Sequence, residues 1–231
     1  MSREQIGGRI VTDGLVLMLD AGNEKSYPGT GTTWTDLSGN GYDASFVGTI
    51  DYSTTYGGVL SVDGNQTTNY ISFDVNSLTS LTSQIWSLES VIRLDSVLGS
   101  TYFHSMATSV DNNFYIVQKN NNTVFAWNET RLSGTDMTFT AGETFVLTIV
   151  HESGVQSYYK NGEFKASYAA ANNIENTQGW VLNQEQDSVL GGFDPAQATD
   201  MGVYSIRLYS KSLSTDEISQ NFNATRHRFG L

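Results

Sequence analysis

The segment ETFVLTIVHESGVQSYYKNGEFKASY, residues 143–168, decides the fold class. Its runs ETFVLTIVHE, VQSYYK and EFKASY are typical of strands, because β-branched and aromatic residues fit a pleated, half-buried surface. Asn161-Gly162 separates the last two runs, and this pair tolerates positive φ at both central positions of a type I′ turn. The segment therefore predicts a β meander.

Working outward, IWSLESVIRL (85–94) alternates with period two, as expected of a strand. One face would carry Trp86, Leu88, Ser90, Ile92 and Leu94, and the other Ser87, Glu89, Val91 and Arg93. GLVLMLDA (14–21) predicts a short strand buried on both faces. GGVLSVDG with NYISFDV, and NFYIVQK with TVFAWNE, each predict a hairpin, and DSVLGGF and MGVYSIRLY predict two later strands.

The last segment, LSTDEISQNFNATRHRF, changes to a helical pattern. Ser214 and Glu217 have the spacing of a capping box, and Leu213 and Ile218 are placed as a hydrophobic staple. Asp216 and Glu217 would lie in the first turn, where the helix dipole favours carboxylates. We predict a helix over about 214–223.

These elements predict an all-β fold: a two-sheet antiparallel sandwich of jelly-roll type with one short C-terminal helix. The 231 residues, with 22 glycines and 12% aromatics, suit one domain of many short strands joined by tight turns. We divide the chain into an N-terminal arm, 1–13, and a sandwich domain, 14–231.

Charge and composition exclude several function classes. A net charge of −12 makes nucleic acid and anionic membranes unfavourable partners. Absence of cysteine excludes disulfides, thiolate metal sites and cysteine nucleophiles. We expect no signal peptide and no membrane span, so the sequons at Asn65, Asn121, Asn128 and Asn223 carry little weight.

Basic residues are concentrated near the C-terminus. Arg207, Lys211, Arg226 and Arg228 are four of the twelve in the chain and lie in its last 25 positions. This end is either a docking element for an acidic partner or a solvated basic tail.

Five stretches together resemble laminin G-like domains of the concanavalin A-like lectin/glucanase superfamily. They are GLVLMLDAGNEKSYPGTGTTWTDLSGNGYDASF, GVLSVDGNQTTNYISF, WSLESVIRLDS, YYKNGEF and GVYSIRLYSKSLSTDEISQNFNATRHRFG. The opening LDAGNEKSYPGTGTTWTDLSGNG and the closing LSTDEISQNFNATRHRFG are similar to the version found in structural proteins of tailed bacteriophages, especially those of marine hosts. The resemblance implies the sandwich fold, and it implies function only loosely, because the architecture carries lectins, glycosidases, adhesion modules and scaffolds.

The resemblance also implies where a catalytic site would lie. Glucanases of the superfamily carry Glu-x-Asp-x-x-Glu on one strand, which supplies a nucleophile and an acid/base. The nearest match is EQDSVL, in which Glu185 and Asp187 are placed correctly but Leu190 stands where the acid/base Glu is needed. We therefore expect no catalytic residues and no enzyme activity here, and interpret the segment as a polar turn.

The metal and nucleophile signals are weak. His104, His151 and His227 lack the helical spacing of a zinc motif and are expected on strand surfaces or in the tail. Calcium ligands would have to come from oxygen donors in predicted loops. The candidates are Asp36, Asn40, Asp43, Asp63, Asp194 and Asp200. They form no contiguous loop motif, so we predict no metal and no cofactor.

Tryptophans are the remaining indication of sugar binding. Trp34, Trp127 and Trp180 fall at loop or strand ends, whereas Trp86 is expected to be buried. Stacking on a pyranose and filling the core are both open for these rings, and core filling is the commoner role in sandwiches. The carbohydrate-binding residues are therefore not identified from the sequence.

The leading hypothesis is a non-enzymatic bacteriophage virion protein, displayed on the particle as a decoration or fibre-type protein and aiding adhesion. Its expected partners are other virion proteins and host-surface glycans, and homo-oligomer formation is left open. Either the arm MSREQIGGRIVT or the tail RHRFGL would dock it to the particle. The alternatives are a carbohydrate-binding lectin and, third, a glycan-cleaving enzyme.

Overall fold

The computed structural model describes residues 8–64, 68–73, 85–95, 138–169 and 179–231, and the backbone of 100–106, 114–119 and 123–127. These residues form two antiparallel sheets and one helix, so the predicted sandwich is confirmed. The predicted division between arm and domain at residue 13 stays a prediction.

The larger sheet has the strand order β13-β12-β11-β7-β15-β5-β4, with β1 also paired to β15. Its strands are β1 (Leu15–Asp20), β4 (Ile50–Ser53), β5 (Val59–Val62), β7 (Trp86–Leu94), β11 (Thr144–Glu152), β12 (Val155–Lys160), β13 (Glu163–Ala169) and β15 (Met201–Tyr209). Strand β15 pairs with β7 along one edge, while β5 and β1 divide its other edge. The last strand of the chain is therefore central to this sheet.

The smaller sheet has the order β10-β9-β8-β14-β6-β3-β2. Its strands are β2 (Thr33–Trp34), β3 (Ala44–Val47), β6 (Tyr70–Phe73), β8 (Ser100–Met106), β9 (Phe114–Lys119), β10 (Thr123–Trp127) and β14 (Gly179–Leu182). Strand β10 forms one edge of this sheet and β2 the other.

The main core lies between the sheets. Its largest fully buried side chains include Trp34, Trp86, Tyr158, Phe145, Leu17 and Leu19. Strand β7 contributes Trp86, Leu88, Ile92 and Leu94, as the period-two pattern predicted. The meander is also confirmed, and Asn161 and Gly162 have φ of 54° and 79° at its last turn, as a type I′ turn requires.

Helix α1 (Thr215–Phe229) covers the outer side of the larger sheet. Ser214 caps it, and the reciprocal bonds of the capping box with Glu217 are both present. Leu213 and Ile218 pack together in the cluster beneath the first turns, so the predicted staple is confirmed. The helix ends at Phe229, six residues beyond the predicted end, because Phe229 is buried and Gly230 adopts the left-handed conformation that terminates helices.

A polar network is buried between the helix and the sheet. Arg207 donates to Glu89 Oε1 in an ion pair whose side chains are 4% and 1% exposed. Glu89 Oε2 also accepts bonds from Thr148 Oγ1 at 3.3 Å and from Asn221 Nδ2 at 3.5 Å. The face of β7 that carries Ser87, Glu89 and Val91 is thus buried beneath the helix.

The terminal segments belong to the folded unit. Val11 is buried, and its N–H donates to Asn221 Oδ1 at 2.7 Å. The tail RHRFGL forms the end of the helix, with Arg228 donating to both carboxylate oxygens of Asp20. The interpretation of a basic tail outside the sandwich is therefore wrong, because ion pairs and burial hold its residues. Lys211 is likewise paired, with Asp13 and Glu217.

Three local predictions are wrong. Strands β5 and β6 do not form a hairpin: β5 pairs with β4 and β15, whereas β6 pairs with β3 and β14 in the other sheet. Strand β1 is buried only at Leu17 and Leu19, and its other residues are partly exposed. DSVLGGF forms a tight turn closed by the Ser188–Gly191 bridge.

Within the described residues, no helix is both long and apolar enough to cross a bilayer. Of the four sequons, Asn223 lies exposed on the helix. Asn65, Asn121 and Asn128 lie outside the described residues.

Candidate functional site

One row of positions crosses the smaller sheet from edge to edge. The register places Thr33 opposite Ser45, Ser45 opposite Ser72, and Ser72 opposite Val181. Residues directly opposite each other share a face of the sheet. Thr33 and Ser45 are exposed, so this row lies on the face directed away from the core.

The same row continues onto the far half of the sheet. Val181 is opposite His104, His104 is opposite Tyr115, and Tyr115 is opposite Trp127 on the edge strand. We call the seven positions from residue 33 to residue 127 the outer row. It places an imidazole-bearing and two aromatic residues on consecutive strands of one face.

A second row next to Tyr115 and Trp127 is also apolar. Val117 is opposite Phe125, and each lies two residues from a member of the outer row. Because alternate residues of a strand share a face, these positions belong to the same side of the sheet. Strands β9 and β10 thus combine aromatic residues on a face where antiparallel sheets commonly carry polar ones.

Residues 183–193, which we call the cover segment, fold back over β14 on this side. Gln186 Nε2 donates to the Gly179 carbonyl at 3.1 Å, and Gln186 Oε1 accepts from the Leu190 N–H at 2.7 Å. A Cβ added to Gly179 would approach Gln186 and Val189 at 2.9 and 3.1 Å. Trp180 belongs to the core, so the neighbouring Gly179 faces outward and the cover segment lies on the outer face.

Two amides anchor the start of the cover segment. Asn183 Nδ2 and Gln184 Nε2 both donate to the Asn69 carbonyl, each at 3.2 Å. Asn183 has a φ of 79°, which turns the chain out of β14. At the other end, the Phe193 ring lies 4.7 Å from that of Tyr70 on β6. The segment is therefore fixed to the sheet at both ends.

Glu185 is the unusual titratable group of the cover segment. Glu185 is only 7% exposed, and its Oε2 atom has no hydrogen-bond partner among the described residues. Burial, aided by the negative charges of Asp187 and Asp194, raises the pKa of Glu185 to about 7. Close to neutral pH this carboxyl group exchanges between a donor and an acceptor.

The near match to a glucanase motif does not form its catalytic geometry. Glu185 and Asp187 lie outside any strand, so strand alternation does not place their carboxylates side by side. Leu190 lies in the tight turn with a φ of 53°. The segment is a polar turn, as interpreted from the sequence, although no strand follows directly.

The oxygen donors of the first long loop organise the loop itself. Asp36 is buried, and its carboxylate accepts bonds from the backbone N–H groups of Met18, Ser38 and Tyr42. Asp43 accepts from the Asp36 N–H at 2.8 Å. The amide of Asn40 donates to the Val16 carbonyl and to the Ser38 hydroxyl. The loop between β2 and β3 is therefore held by its own Asx side chains.

The remaining calcium candidates lie apart. Asp194 accepts from the Ala196 N–H at 2.9 Å, which caps a short 3₁₀ turn at 195–197. Asp200 accepts from the Gly64 N–H at 2.7 Å, and Asp63 is exposed at the end of β5. In the described part of the chain, no three His, Asp or Glu side chains converge as metal ligands.

The histidines occupy three different environments. His151 is buried in β11 and stacks on Trp86 with ring centroids 5.3 Å apart, so its prediction as a strand-surface residue is wrong. Burial lowers the pKa of His151, which keeps the ring neutral. His227 is exposed in the last turn of the helix. His104 occupies the outer row.

Three of the four tryptophans fill the core. Trp34, Trp86 and Trp180 are at most 2% exposed, which confirms the prediction for Trp86 and selects core filling for the other two. Trp127 differs, because the register assigns it to the outer row. The alternation of NFYIVQK and TVFAWNE already contains part of this information, since Tyr115 and Val117 share one face of their strand and Phe125 and Trp127 share one face of theirs.

Apart from the outer row, a depression lies on the larger sheet beside the helix. It has a volume of about 380 Å³ and is lined by Val150, Glu152, Val155, Ser157, Tyr159 and residues 212–215. Ser214 and Glu217 satisfy each other at this helix end. The depression therefore presents mainly hydroxyls and aliphatic groups.

Comparison with known proteins identifies the fold of the chain but does not identify its family. No family model matches the sequence, and no curated protein matches it. Solved structures do match. Domain 4 of AbnA, an extracellular GH43 arabinanase of Geobacillus stearothermophilus solved with arabinotriose, has a TM-score of 0.70 at 15% identity, over 90% of this chain and 98% of that one.

Two larger proteins match over part of their length. The binding domain of botulinum neurotoxin DC, solved with SialylT, has a TM-score of 0.69 at 14% identity, over 93% of this chain and 52% of that one. Trypanosoma rangeli sialidase with the inhibitor DANA has a TM-score of 0.67 at 13% identity, over 95% of this chain and 34% of that one. The chain thus spans about a third to a half of these larger proteins. At these identities the likeness shows the fold alone, a two-sheet β-sandwich.

Proposed function

We propose that the protein is a glycan-binding module and that the outer face of the smaller sheet is its binding surface. The observation that carries the proposal is the register that brings Tyr115 and Trp127 into one row with His104. Sugar rings stack their C–H faces on aromatic rings, while hydroxyl and amide groups bind sugar hydroxyls. Ser45 and Ser72 supply hydroxyls in the same row.

Structural neighbours support this proposal. The AbnA domain was solved with arabinotriose, and the neurotoxin binding domain with SialylT. The AbnA domain matches over 98% of its length, whereas the neurotoxin binding domain matches over 52%. Fold alone does not define function, so the proposal depends on the aromatic row of this chain.

We test the proposal with a glycan array, followed by calorimetry on each sugar that binds. Trp127→Ala is expected to weaken binding by roughly 5- to 30-fold, because loss of one stacking ring removes of the order of 1–2 kcal/mol. Phe164→Ala is the matched control, since Phe164 is 55% exposed on the other sheet. Unchanged affinity in Trp127→Ala, or absence of any bound glycan, would contradict the proposal.

We also propose that binding occurs without glycan cleavage. Leu190 replaces the acid/base of the motif, and Glu185 and Asp187 lie in a turn. Incubation of each bound oligosaccharide with the protein should leave it intact. Products that disappear in Glu185→Gln would contradict this proposal.

A finer proposal is that the module is displayed on a bacteriophage particle as a decoration or fibre-type protein. Support comes from the resemblance of the opening and closing segments to phage structural proteins. Mass spectrometry and microscopy of purified virions provide the test. Absence of the chain from the particles would refute display, and would leave glycan binding untouched.

A further inference from the structure

The charged residues of β14, the cover segment and the turn after it have one sign. Residues 179–200, which include β14 and the cover segment, contain Glu185, Asp187, Asp194 and Asp200 and no Lys, Arg or His. Among the described members of the outer row, Thr33, Ser45, Ser72 and Val181 are uncharged. A carboxylate on a ligand would find no cation on this half of the face.

The acidic groups are held in place near one another. Asp194 is fixed by its bond to the Ala196 N–H, and Asp187 packs against Gly192 in the tight turn. Both act electrostatically on Glu185, which is buried with Oε2 unpartnered among the described residues. The turn at 195–197 also contacts β8, the strand next to β14.

Most cationic side chains elsewhere in the described residues form ion pairs with carboxylates. Arg207 is buried against Glu89, Arg228 is bound to Asp20, and Lys160 to Glu143. On the aromatic half, Lys119 stands four residues from Tyr115 on the same face, roughly 13 Å along the strand. Strand β8 separates Lys119 on β9 from β14 and the cover segment.

We infer that this face selects uncharged oligosaccharides and discriminates against sialylated ones, an inference that rests on the proposed glycan-binding function. The structural neighbours were solved with both kinds of ligand, the AbnA domain with arabinotriose and the whole Trypanosoma rangeli sialidase with sialic acid. Only an uncharged ligand suits the carboxylates of the cover segment. A carboxylate held near Glu185 would meet like charges in a partly buried site, where water screens them weakly.

The discrimination depends on pH. Glu185 loses its charge as the pH falls through about 7, which removes one of the repelling groups. Asp187 of the cover segment and Asp194 directly after it act on Glu185, and the register places His104 on the adjacent strand. Sialylated glycans should therefore be disfavoured more strongly at pH 8.5 than at pH 5.5.

The test compares matched pairs of glycans, beginning with lactose and sialyllactose, by calorimetry at both pH values. At pH 8.5 the uncharged member is expected to bind about tenfold more tightly or better, since one like charge at roughly 8–10 Å contributes an effect of this order. At pH 5.5 the ratio should fall. Glu185→Gln should lower the ratio at pH 8.5 and remove most of its pH dependence.

The control is Glu152→Gln, which removes one negative charge from the end of β11 in the larger sheet. It should leave the ratio unchanged. Equal affinities, or a preference for sialyllactose, would overturn the selectivity and leave the glycan-binding function standing. If no uncharged or sialylated glycan of a broad panel binds, the function and the selectivity both fail.

Discussion

The Glu89–Arg207 ion pair shows that a buried charge needs an opposite charge and hydrogen-bond donors or acceptors beside it. Desolvation of two charges is costly, and only their mutual attraction and additional hydrogen bonds offset it. Glu89 receives such bonds from Thr148 and Asn221. Removal of one charge leaves the other buried without compensation.

We therefore expect Arg207→Met to lower the free energy of unfolding by about 3–5 kcal/mol. The double variant Glu89→Gln/Arg207→Met should be less destabilised than Arg207→Met alone, because no lone charge remains buried. Urea denaturation of the three proteins measures the difference. Lys165→Met, which removes the partner of the exposed Glu163, is the control and should behave as wild type.

Glu185 gives a pH-dependent stability of defined sign. Its folded-state pKa is raised to about 7, so between pH 4.5 and 7 the folded state binds more protons than the unfolded state. The stabilisation is complete at low pH and is lost as the pH rises through 7. Glu185→Gln, which cannot ionise, removes this dependence.

The expected result is that Glu185→Gln is more stable than wild type at pH 8, by about 1–3 kcal/mol, and similar to it at pH 4. Denaturation curves at the two pH values provide the measurement. Equal stabilities at pH 8 would show that the Glu185 carboxylate is solvated in the folded protein.

At the scale of elements, the start of the helix is determined by residues that are neighbours in the sequence. Its end is determined by contacts with residues that are distant in the sequence. The pattern Ser214-x-x-Glu217 predicted the N-terminus, because the capping box involves only neighbours. The C-terminus depends on burial of Phe229 against Val59, Val91 and Tyr204. Those partners are distant in sequence, so the prediction ended too early.

Ser214→Ala should destabilise the protein by about 1 kcal/mol, since Ser214 Oγ satisfies the otherwise unpaired Glu217 N–H. Thermal or urea unfolding of this variant measures the loss. Ser212→Ala, two residues earlier and outside the cap, should have little effect. Equal losses in the two variants would mean that the cap contributes nothing.

The elements also show where local patterns mislead. The turn residues between β5 and β6 suggest a hairpin, yet the chain crosses from one sheet to the other there. The polar residues Ser87 and Glu89 suggest a solvent-facing side of β7, yet the helix covers them. Both outcomes are set by long-range pairing, which a single window of sequence does not contain.

At the scale of the whole molecule, the sandwich could be predicted because alternation, turns and composition agree in almost every segment. The candidate site could be predicted only in part. Alternation within β9 and β10 indicates aromatic residues on both faces of a hairpin. Joining Trp127 to Ser72 needs the pairing of β14 with β6 and β8, which no local signal supplies.

Deletion of residues 200–231 should prevent folding of the described part of the larger sheet. Strand β15 pairs with β7, β5 and β1, so its removal leaves three strands with unpaired edges and exposes the core. Circular dichroism and limited proteolysis of the truncated chain are the measurements. A protease-resistant truncated domain would show that β15 is dispensable.

The central position of β15 has a consequence during protein synthesis. The ribosome makes β15 about 190 residues after β1, its partner in the sheet. Strands β1, β5 and β7 therefore keep backbone N–H and C=O groups unpaired until β15 is made. Such distant contacts also predict slow refolding, on the scale of milliseconds to seconds.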